Sequence, residues 1–372
     1  MNITKVVSLN EAEELSASFM SPAARAYVCG AAGDEITMRA NSEEWRRIRL
    51  NPRILVDASE IDTRTQIFGQ TLDWPVLLAP AAINRLWHPQ GEMAVTHGAN
   101  QGGVTTVAST YATESIENIC RAAKHPVWFQ LYTRPEREFN RELVSLAETA
   151  GCKAIVITVD TPVIGIRNRE ARAYFRMPPN FTLPNIKMGP EVHRRSPWKA
   201  FGLLPNPKLT WKEVEWICSI AKVPVLLKGV INPDDALRAI DTGAAGIIVS
   251  NHGSRNLDTL PPTAEALPRV AEKLEGKLPL LVDGGIRRGT DIIKALALGA
   301  KAVLIGRPYL HGLAIGGAKG VARVLEILRN EFEAAMALTG RMSISEIDRS
   351  VIWPDRLTQD LALTPKSRAT EV

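Results

Sequence analysis

Eight short apolar segments recur between residues 76 and 305, and stretches with helical periodicity lie between them. Strands that alternate with helices in this way are typical of βαβ units, in which the strands lie parallel. Eight such units predict an α/β fold, the (β/α)8 TIM barrel. The predicted strands are 76–79, 105–109, 127–132, 154–160, 225–228, 246–250, 280–283 and 302–305.

We predict a single domain, residues 1–372, in which additional segments surround this barrel. The interval between the fourth and fifth strands is too long for an ordinary connection, so we expect a lid over the site there. The predicted parts are an N-terminal helical cap and barrel plug (1–74), the barrel (75–340), the lid loop (167–209) and a C-terminal tail (341–372).

The periodicity predicts further elements at both ends of the chain. Residues 9–48 have a helical pattern, broken at Gly30-Ala31-Ala32-Gly33. A β-like segment over 53–57 and a hairpin through 65–69 are predicted to plug the bottom of the barrel. Near the other end, residues 321–339 carry an apolar stripe that predicts a closing helix.

Composition and charge narrow the class of protein. Hydrophobic residues make up 45% and charged residues 23% of the chain, as in soluble globular proteins. No apolar run reaches the roughly 18 residues that span a bilayer, and the N-terminus lacks the apolar core of a signal peptide. We therefore expect a cytoplasmic protein with no membrane partner.

The net charge of +5 comes from basic residues scattered along the chain, and aromatic residues make up only 6%. This pattern does not favour a nucleic-acid partner, whereas a modest positive excess suits a small anionic ligand. The four cysteines, Cys29, Cys120, Cys152 and Cys218, form no CxxC pair and no metal-ligand spacing. We predict free thiols and no metal.

Polar side chains follow the predicted strands at their carboxyl ends. After the sixth strand, His252 offers a proton acceptor and Arg255 a planar positive group, which suit a substrate with a carboxylate and a proton to lose. A histidine with a purely structural role is the alternative for His252 considered alone. Tyr132, Asp160 and Lys228 end the third, fourth and fifth strands. Because the carboxyl ends of barrel strands share one face, we expect an active site there.

The last two strands predict a phosphate site. Gly284 and Gly285 follow the seventh strand and let backbone N–H groups approach a ligand, while Arg287 and Arg307 supply positive charge. Simple turn glycines are the alternative interpretation. No GxGxxG motif follows a strand, so a dinucleotide site of the Rossmann type is not expected.

Seven short motifs stand in order along the chain: Ala79-Pro80-Ala81-Ala82, Phe129-Gln130-Leu131-Tyr132, Thr158-Val159-Asp160-Thr161-Pro162, Leu227-Lys228-Gly229-Val230, Ser250-Asn251-His252-Gly253, Asp283-Gly284-Gly285 and Ile305-Gly306-Arg307-Pro308. With these motifs the chain resembles the FMN-dependent α-hydroxy-acid oxidase/dehydrogenase family, which includes glycolate and lactate oxidases, from about Tyr27 to Ile352.

The resemblance implies that FMN is the cofactor and that four residues are catalytic. His252 would be the base and Asp160 would stabilise its imidazolium, Tyr132 would hydrogen-bond the substrate oxygen, and Lys228 would lie near the flavin. The implied substrate-binding residues are Tyr27, Tyr111, Tyr132, Arg167, His252 and Arg255. The implied cofactor-binding residues are Pro80, Ala81, Ala82, Ser109, Gln130, Thr158, Lys228, Ser250, Asp283, Gly284, Gly285, Ile286, Arg287, Gly306 and Arg307.

The chain departs from the family at residues that shape the substrate pocket. Ser254 and Asn256 stand where the family usually has a smaller residue and a glutamine. Tyr111 replaces the tryptophan of glycolate oxidase, which predicts room for a side chain on the substrate. We expect Tyr111, Ile83 and the lid to set the size of the pocket.

The resemblance implies oxidation of an L-2-hydroxy acid to the 2-keto acid by a homotetramer. O2 is the expected acceptor, giving H2O2, because Ala82 matches the oxidases and the lid shows no amphipathic anchor. The alternatives are a dehydrogenase of the same family that uses another acceptor and an isomerase like isopentenyl diphosphate isomerase type 2. A flavin-binding protein without activity is the third alternative.

Overall fold

The computed structural model describes residues 3–176, 178, 181–186 and 206–354. Eight parallel strands close into a barrel in the order β10-β3-β4-β5-β6-β7-β8-β9, which confirms the predicted (β/α)8 fold. The barrel strands are β3 (Val76–Leu78), β4 (Thr105–Ser109), β5 (Val127–Leu131), β6 (Ile155–Thr158), β7 (Val225–Val230), β8 (Gly246–Val249), β9 (Leu280–Val282) and β10 (Ala300–Ile305).

The barrel has an apolar interior because alternate side chains of each strand point inward. Leu77, Val107, Trp128, Leu226 and Leu304 belong to one buried cluster inside the barrel. The intervening side chains pack outward on the surrounding helices and form a second, larger cluster. Both faces of the sheet are therefore covered, which explains why the strands are nearly continuous apolar runs.

Helices surround the barrel, and the helices of the N-terminal segment also cover it. Serine side chains at positions 8, 21 and 115 accept a hydrogen bond from the first turn of α1, α2 and α5, respectively. The helices are α1 (Leu9–Ser16), α2 (Pro22–Cys29), α3 (Ile36–Arg47), α4 (Gly91–Gly102), α5 (Ile116–Ala122), α6 (Arg137–Ala150), α7 (Asn168–Arg172), α8 (Trp211–Ile220), α9 (Pro233–Asp241), α10 (Thr263–Leu274), α11 (Gly289–Ala297) and α12 (Arg307–Thr339).

The last helix is longer than the predicted closing helix at 321–339. Helix α12 starts directly after β10, at Arg307, and it bends at Gly316 and Gly317, whose backbone angles are not helical. The apolar stripe of the second half was visible in the sequence, whereas the glycine pair hid the continuity with the first half. The start of α12 therefore lies at the mouth of the barrel.

A hairpin closes the opposite end of the barrel. Strands β1 (Thr65–Ile67) and β2 (Gln70–Leu72) pair antiparallel, as the sequence predicts. Ile67 and Leu72 pack into the interior cluster, and Trp128 Nε1 donates a hydrogen bond of 2.9 Å to Gln70 Oε1. The hairpin thus seals the amino ends of the strands.

The predicted β-like segment at 53–57 is wrong. It forms no strand, and Ile54 and Leu55 are 79% and 99% exposed. Leu55 has a left-handed φ of 61°, which is incompatible with a strand. The segment lies against the end of α12, where Arg53 N donates to Thr339 O at 3.2 Å, and it forms no strand pairing among the described residues.

Helix α3 is held against the mouth of the barrel by a carboxylate from far along the chain. Asp258, in the segment that follows β8, accepts hydrogen bonds from the backbone N–H groups of Asp34, Ile36 and Thr37. The N–H groups of Ile36 and Thr37 belong to the first turn of α3, which a helix start leaves unpaired. Asp258 therefore fixes the N-terminal cap to the loop that carries His252.

Part of the predicted lid and tail lies outside the described residues. Helix α7 and residues 181–186 belong to the interval after β6, whereas residues 187–205 are outside. Of the tail, residues 341–354 are described and contain two short 3-10 turns, Ile344–Glu346 and Arg349–Val351.

Candidate active site

A cavity of about 1390 Å³, counting the open space at its mouth, lies at the carboxyl end of the barrel. Residues from all eight barrel strands, or from the loops that follow them, line it. Of the predicted site residues it brings together Tyr27, Pro80, Ala81, Ala82, Ser109, Tyr111, Gln130, Tyr132, Thr158, Arg167, Lys228, His252, Arg255, Asp283, Gly284, Gly285, Ile286, Arg287, Gly306 and Arg307. The remaining two, Asp160 and Ser250, lie behind this wall.

His252 and Asp160 form a pair at the edge of the cavity. The imidazole Nδ1 lies 2.9 Å from Asp160 Oδ1, and Nε2 lies 3.3 Å from the hydroxyl of Tyr132. Burial lowers the pKa of His252, although the facing carboxylate opposes the shift. Burial alone would raise the pKa of Asp160, but its hydrogen bond with His252 and the charge of Lys228 leave it below its usual value. The pair therefore holds a neutral imidazole beside an ionised carboxylate.

A third residue orients this carboxylate. Asn256 Nδ2 donates to the backbone oxygen and to Oδ1 of Asp160, at 2.9 and 3.2 Å, and to Thr161 Oγ1 at 2.8 Å. The side chain of Asn256 is thus long enough to reach Asp160, although it is one methylene shorter than the family's glutamine. Fixing Asp160 also fixes which imidazole nitrogen carries the proton.

The backbone that presents His252 has an uncommon conformation. His252, Gly253 and Ser254 have φ values of 57°, 59° and 64°, so three consecutive residues are left-handed. Non-glycine residues in this region cost on the order of 1–3 kcal/mol and cluster at functional sites. The turn is held by two hydrogen bonds, from His252 N to Ser250 Oγ at 3.0 Å and from Ser254 N to Asn251 O at 2.8 Å.

A buried ion pair lies in the floor of the cavity. Lys228, on β7, is 4% exposed, and its Nζ contacts Asp283 Oδ2 at 3.0 Å and Ser250 Oγ at 2.9 Å. Ser250 accepts from both Lys228 and the His252 backbone, so one hydroxyl orients the two groups. Asp283, which the resemblance assigns to the phosphate loop, contacts this lysine. Its Oδ1 has no partner among the described residues.

Two arginines share one carboxylate on the lid side of the cavity. Arg167 Nη1 and Arg255 Nη2 lie 3.3 and 3.0 Å from Glu170 Oε1. Arg255 Nη1 also donates to the backbone oxygens of Tyr27 and Gly30, at 2.6 and 3.0 Å. Two guanidinium groups against one carboxylate leave an excess of positive charge beside the cavity.

Glu170 is a site residue that the sequence analysis missed. Glu170 is 7% exposed, and it belongs to none of the sequence motifs. The available signal was its spacing of three residues from Arg167 at a helix start, where such a pair can form an ion pair. Its importance follows only from Arg255, which approaches from the loop after β8.

Positive charge also accumulates where α12 begins. Arg307 donates from Nε to Val28 O and from Nη2 to Gly30 O and Gly253 O, at 2.8 to 3.0 Å. Burial lowers the pKa of Arg307 to about 9, and Arg255 and Arg287 add to the shift. No carboxylate among the described residues forms an ion pair with it. This partly buried cation, at the start of a long helix, favours an anionic ligand.

Aromatic side chains form the remaining wall. The rings of Tyr111 and Tyr132 stack with centroids 5.1 Å apart, and Tyr27 stacks on Phe175 at 4.7 Å. Trp87, which also lines the cavity, lies 6.0 Å from Tyr27. Burial raises the pKa of Tyr111 to about 12 and that of Tyr132 further, so both hydroxyls remain protonated donors.

One predicted pocket residue is wrong, and one was missed. Ile83 does not line the cavity; it is 1% exposed and packs into the outer core cluster. Its left-handed φ of 53° turns the side chain away from the rim. Trp87, four residues later, lines the cavity instead. An aromatic residue in the loop after the first barrel strand was the only sequence signal for it.

The sequence matches the family described as FMN-dependent dehydrogenase over residues 17–354. It is 43% identical to an L-lactate oxidase of Nostoc sp. over 94% of this chain and 99% of that protein. It is 40% identical to a glycolate oxidase of Spinacia oleracea over 94% of this chain and 96% of that protein. A solved structure of mandelate oxidase with (S)-4-hydroxymandelic acid superposes with a TM-score of 0.88 at 39% identity, covering 92% of this chain and 98% of that chain.

Proposed function

Because the chain belongs to the FMN-dependent dehydrogenase family, we propose that it oxidises an L-2-hydroxy acid to the corresponding 2-keto acid. The relatives named as lactate, glycolate and 2-hydroxyacid oxidases support this substrate class. The single observation that carries the proposal is the His252–Asp160 pair, which presents an unprotonated Nε2 at the edge of the cavity beside the Tyr132 hydroxyl.

The cavity fits the FMN cofactor of this family. The partly buried Arg307 forms no ion pair with a carboxylate among the described residues, and it lies where α12 begins, so a phosphate would complete its contacts. Arg287 and the backbone of Gly284 and Gly285 would hold the same phosphate. The residues that would contact the ring are Pro80, Ala81, Ala82, Ser109, Gln130, Thr158 and Lys228.

When bound, FMN supplies the acceptor for the two electrons that leave the hydroxy acid. The task of the protein is to bind the acid, orient it and remove a proton. His252 Nε2 takes the proton, since burial keeps the imidazole neutral and able to accept. Asp160 accepts the Nδ1 hydrogen and stabilises the imidazolium that results.

Arg167 and Arg255 attract the substrate carboxylate. Their shared partner Glu170 cancels one of two positive charges, so the remaining charge is available for an anion at the same place. The hydroxyl of Tyr132 lies 3.3 Å from His252 Nε2, which places a donor beside the proton that is removed. Tyr27, whose ring centroid lies 4.8 Å from the guanidinium carbon of Arg255, completes the part of the cavity that binds the substrate carboxylate.

Lys228 contributes a fixed positive charge to the cavity floor. It is buried and paired with Asp283 and Ser250, so its position is set before a ligand arrives. A preorganised charge favours an anion that develops during the reaction, because no reorganisation is needed at that moment. We propose that Lys228 stabilises the negative charge that electron transfer creates in the cavity.

We propose O2 as the electron acceptor, with H2O2 as its product. The oxidases among the relatives support this choice over a dehydrogenase with another acceptor, as does Ala82 at the cavity. The isomerase alternative is disfavoured because the two rim arginines and Glu170 leave one net positive charge, which matches one substrate carboxylate and falls short of the charge of a diphosphate.

We further propose a cytoplasmic homotetramer, on the family resemblance. Large exposed apolar side chains at Ile54, Leu55, Leu338 and Trp353 support an interface that includes these residues. Light scattering of the purified protein gives the mass directly. No helix of the described chain is both long and apolar enough to cross a bilayer.

The proposed function is tested by mixing the yellow holoenzyme with L-lactate, glycolate or L-mandelate in the absence of O2. We expect at least one acid to remove the flavin absorbance and to yield its keto acid. Air should then restore the colour and release H2O2 if the enzyme is an oxidase. Flavin that stays oxidised with every hydroxy acid would overturn the substrate class. Slow recovery in air, together with rapid recovery with an artificial acceptor, would identify a dehydrogenase.

A further inference from the structure

A second cluster of ligating side chains lies outside the cavity wall. Glu13 on α1, Cys29 at the end of α2 and His311 on α12 each direct one ligand atom to a common point, and these atoms lie within 4.8 Å of one another. The spacing along the sequence gives no hint of this cluster. The three helices bring it together.

The hydrogen bonds around His311 determine which ring nitrogen carries the proton. Ser16 Oγ donates its only hydrogen to the backbone oxygen of Glu13, at 2.7 Å. At its contact of 2.8 Å with His311 Nδ1 it must therefore accept, so Nδ1 carries the hydrogen. The lone pair of the imidazole is left on Nε2, which is the form that binds metals.

This lone pair faces other acceptors inside the protein. His311 is 1% exposed, and its Nε2 has no hydrogen-bond partner among the residues that the structure describes. Glu13 Oε2 lies 3.9 Å from this nitrogen and carries no hydrogen when ionised. Burying an unpaired acceptor costs about 1–3 kcal/mol. A cation between the ligand atoms would satisfy all of them.

We propose that Glu13, Cys29 and His311 bind a divalent cation of the zinc class. Imidazole nitrogen, thiolate sulfur and carboxylate oxygen are the ligands that Zn²⁺ takes, and they exclude Mg²⁺ and Ca²⁺, which prefer oxygen alone. Three protein ligands leave a fourth tetrahedral position for water. The side chain of Glu13 is 43% exposed, which gives the ion a path from solvent.

Small side-chain movements would complete the coordination. Tetrahedral zinc with bonds of about 2.0–2.3 Å places its ligand atoms roughly 3.5 Å apart. The present separations of up to 4.8 Å have to shrink by about 1 Å. Glu13 can supply this movement because it is the most exposed of the three. His311 is already held by Ser16, as a metal-bound histidine usually is by an outer partner.

The charges around the cluster allow a dication. Binding of the ion releases the proton of the Cys29 thiol, and the resulting thiolate and the Glu13 carboxylate contribute two negative charges, which match the ion. Arg287 lies 4.0 Å from Glu13 and opposes cation binding, as do the charges of Arg307 and Arg25. Arg287 and Arg307 also line the cavity, where an anionic cofactor would neutralise them. We therefore expect tighter metal binding in the FMN-loaded protein than in the stripped protein.

A metal here would join the N-terminal helices α1 and α2 to α12. Cys29 precedes Gly30, whose backbone oxygen accepts hydrogen bonds from both Arg255 and Arg307. Cys29 also lies two residues after Tyr27, which lines the cavity. Metal binding should thus stabilise the part of the cap that carries the arginine contacts. The proposal does not depend on the substrate of the enzyme.

Cobalt titration of the FMN-loaded, chelator-treated protein tests the proposal. Co²⁺ bound to a thiolate gives a charge-transfer band. It also gives ligand-field bands, which lie at longer wavelength than the flavin absorbance. We expect an equimolar end point and displacement of the bands by Zn²⁺. Cys29→Ser and His311→Gln should weaken binding by more than about 100-fold, since even loss of an outer partner costs 10–100-fold. The matched control is Cys218→Ser, a partly buried thiol on α8, which should bind like the wild type.

Two outcomes would overturn the proposal: a wild-type protein without thiolate–cobalt bands, or bands that persist in Cys29→Ser. Bands that persist in Cys29→Ser would point to a different thiol site, formed by Cys120 and Cys152, whose sulfurs lie 3.6 Å from each other. FMN absorbance and circular dichroism establish that each variant is folded. If His311→Gln does not fold, Ser16→Ala replaces it. That change removes the acceptor for Nδ1–H together with the hydrogen bond to the backbone oxygen of Glu13. We expect a loss of cobalt affinity of about 10–100-fold, and unchanged affinity would contradict the proposal.

Discussion

Lys228 and Asp283 form an ion pair of 3.0 Å across the floor of the cavity, and both side chains are almost completely buried. One comes from β7 and the other from the end of β9, so the pair spans the intervening strand β8. Ser250, which follows β8, contacts the same lysine. The pair therefore links three neighbouring strands at the point where the reaction is proposed to occur.

Removing one partner of this pair should destabilise the protein. Lys228→Met leaves the Asp283 carboxylate buried without a cation, and such a change costs about 3–5 kcal/mol. Urea unfolding of the FMN-free protein measures the loss. The double variant Lys228→Met/Asp283→Asn serves as control and should recover part of it. A double variant no more stable than Lys228→Met alone would show that the charge pairing is not the cause.

The pH dependence of substrate oxidation should report His252. Its pKa lies below the ordinary 6.5 because of burial, so the imidazole accepts a proton at neutral pH. Activity should fall as pH decreases through this lowered pKa, since a protonated imidazole cannot act as base. Asp160→Asn removes a charge that raises the pKa of His252, so the acid limb should move to lower pH. In Asp160→Asn, the plateau of kcat/KM above this pKa should drop by about 10²–10⁴-fold.

The control for this prediction is Asp258→Asn, which alters another carboxylate of the same loop without touching His252. It should leave the acid limb in place. An acid limb that stays unchanged in Asp160→Asn, measured as kcat/KM against pH, would contradict the assignment of His252 as the base.

Arg255 should not tolerate replacement by lysine. Its guanidinium contacts Tyr27 O, Gly30 O and Glu170 at the same time, and a single ammonium group cannot reproduce this fork. Loss of charge-assisted hydrogen bonds worth about 1.5–3 kcal/mol predicts a fall of about 10–150-fold in kcat/KM. Arg47→Lys, on an exposed face of α3, is the matched control. Equal kinetics of the two variants would argue against a role of the fork in substrate binding.

The size of the pocket should depend on Tyr111. Its ring stacks on Tyr132 and lines the cavity, so Tyr111→Ala opens space beside the substrate. We expect the ratio of kcat/KM for L-mandelate over L-lactate to rise by about 10–200-fold, the usual range for changes of shape in an apolar pocket. Tyr174→Ala, at an 82% exposed tyrosine, should leave the ratio unchanged. A ratio unaffected by Tyr111→Ala would place the specificity elsewhere, with Trp87 as the next candidate.

Much of the site could be predicted because of the topology of a parallel barrel. The strands carry their polar residues at their carboxyl ends, and closure of the barrel gathers those ends at one face. Tyr132, Lys228 and His252 were therefore predicted to converge before any distance was known. The structure brings them to one cavity.

The pairing of these side chains was less predictable. The resemblance assigns Asp283 to a phosphate loop, and the sequence gives no sign that its carboxylate contacts Lys228. Ile83 was expected in the pocket, but a left-handed backbone turns it into the core. Glu170 carries no motif, and its part in the site follows from two arginines that arrive from different loops. Loop conformation decides each of these contacts.

The sequence by itself determined the alternation of strands and helices and the residue type at each strand end, because hydrophobic periodicity and strand direction are local properties of the chain. Only the tertiary structure decided which charges pair and which atoms remain without a partner, because these depend on separations between segments hundreds of positions apart. Cys29 and His311 are an example: they are remote in the sequence, and only the packing of α2 and α12 brings their ligand atoms together.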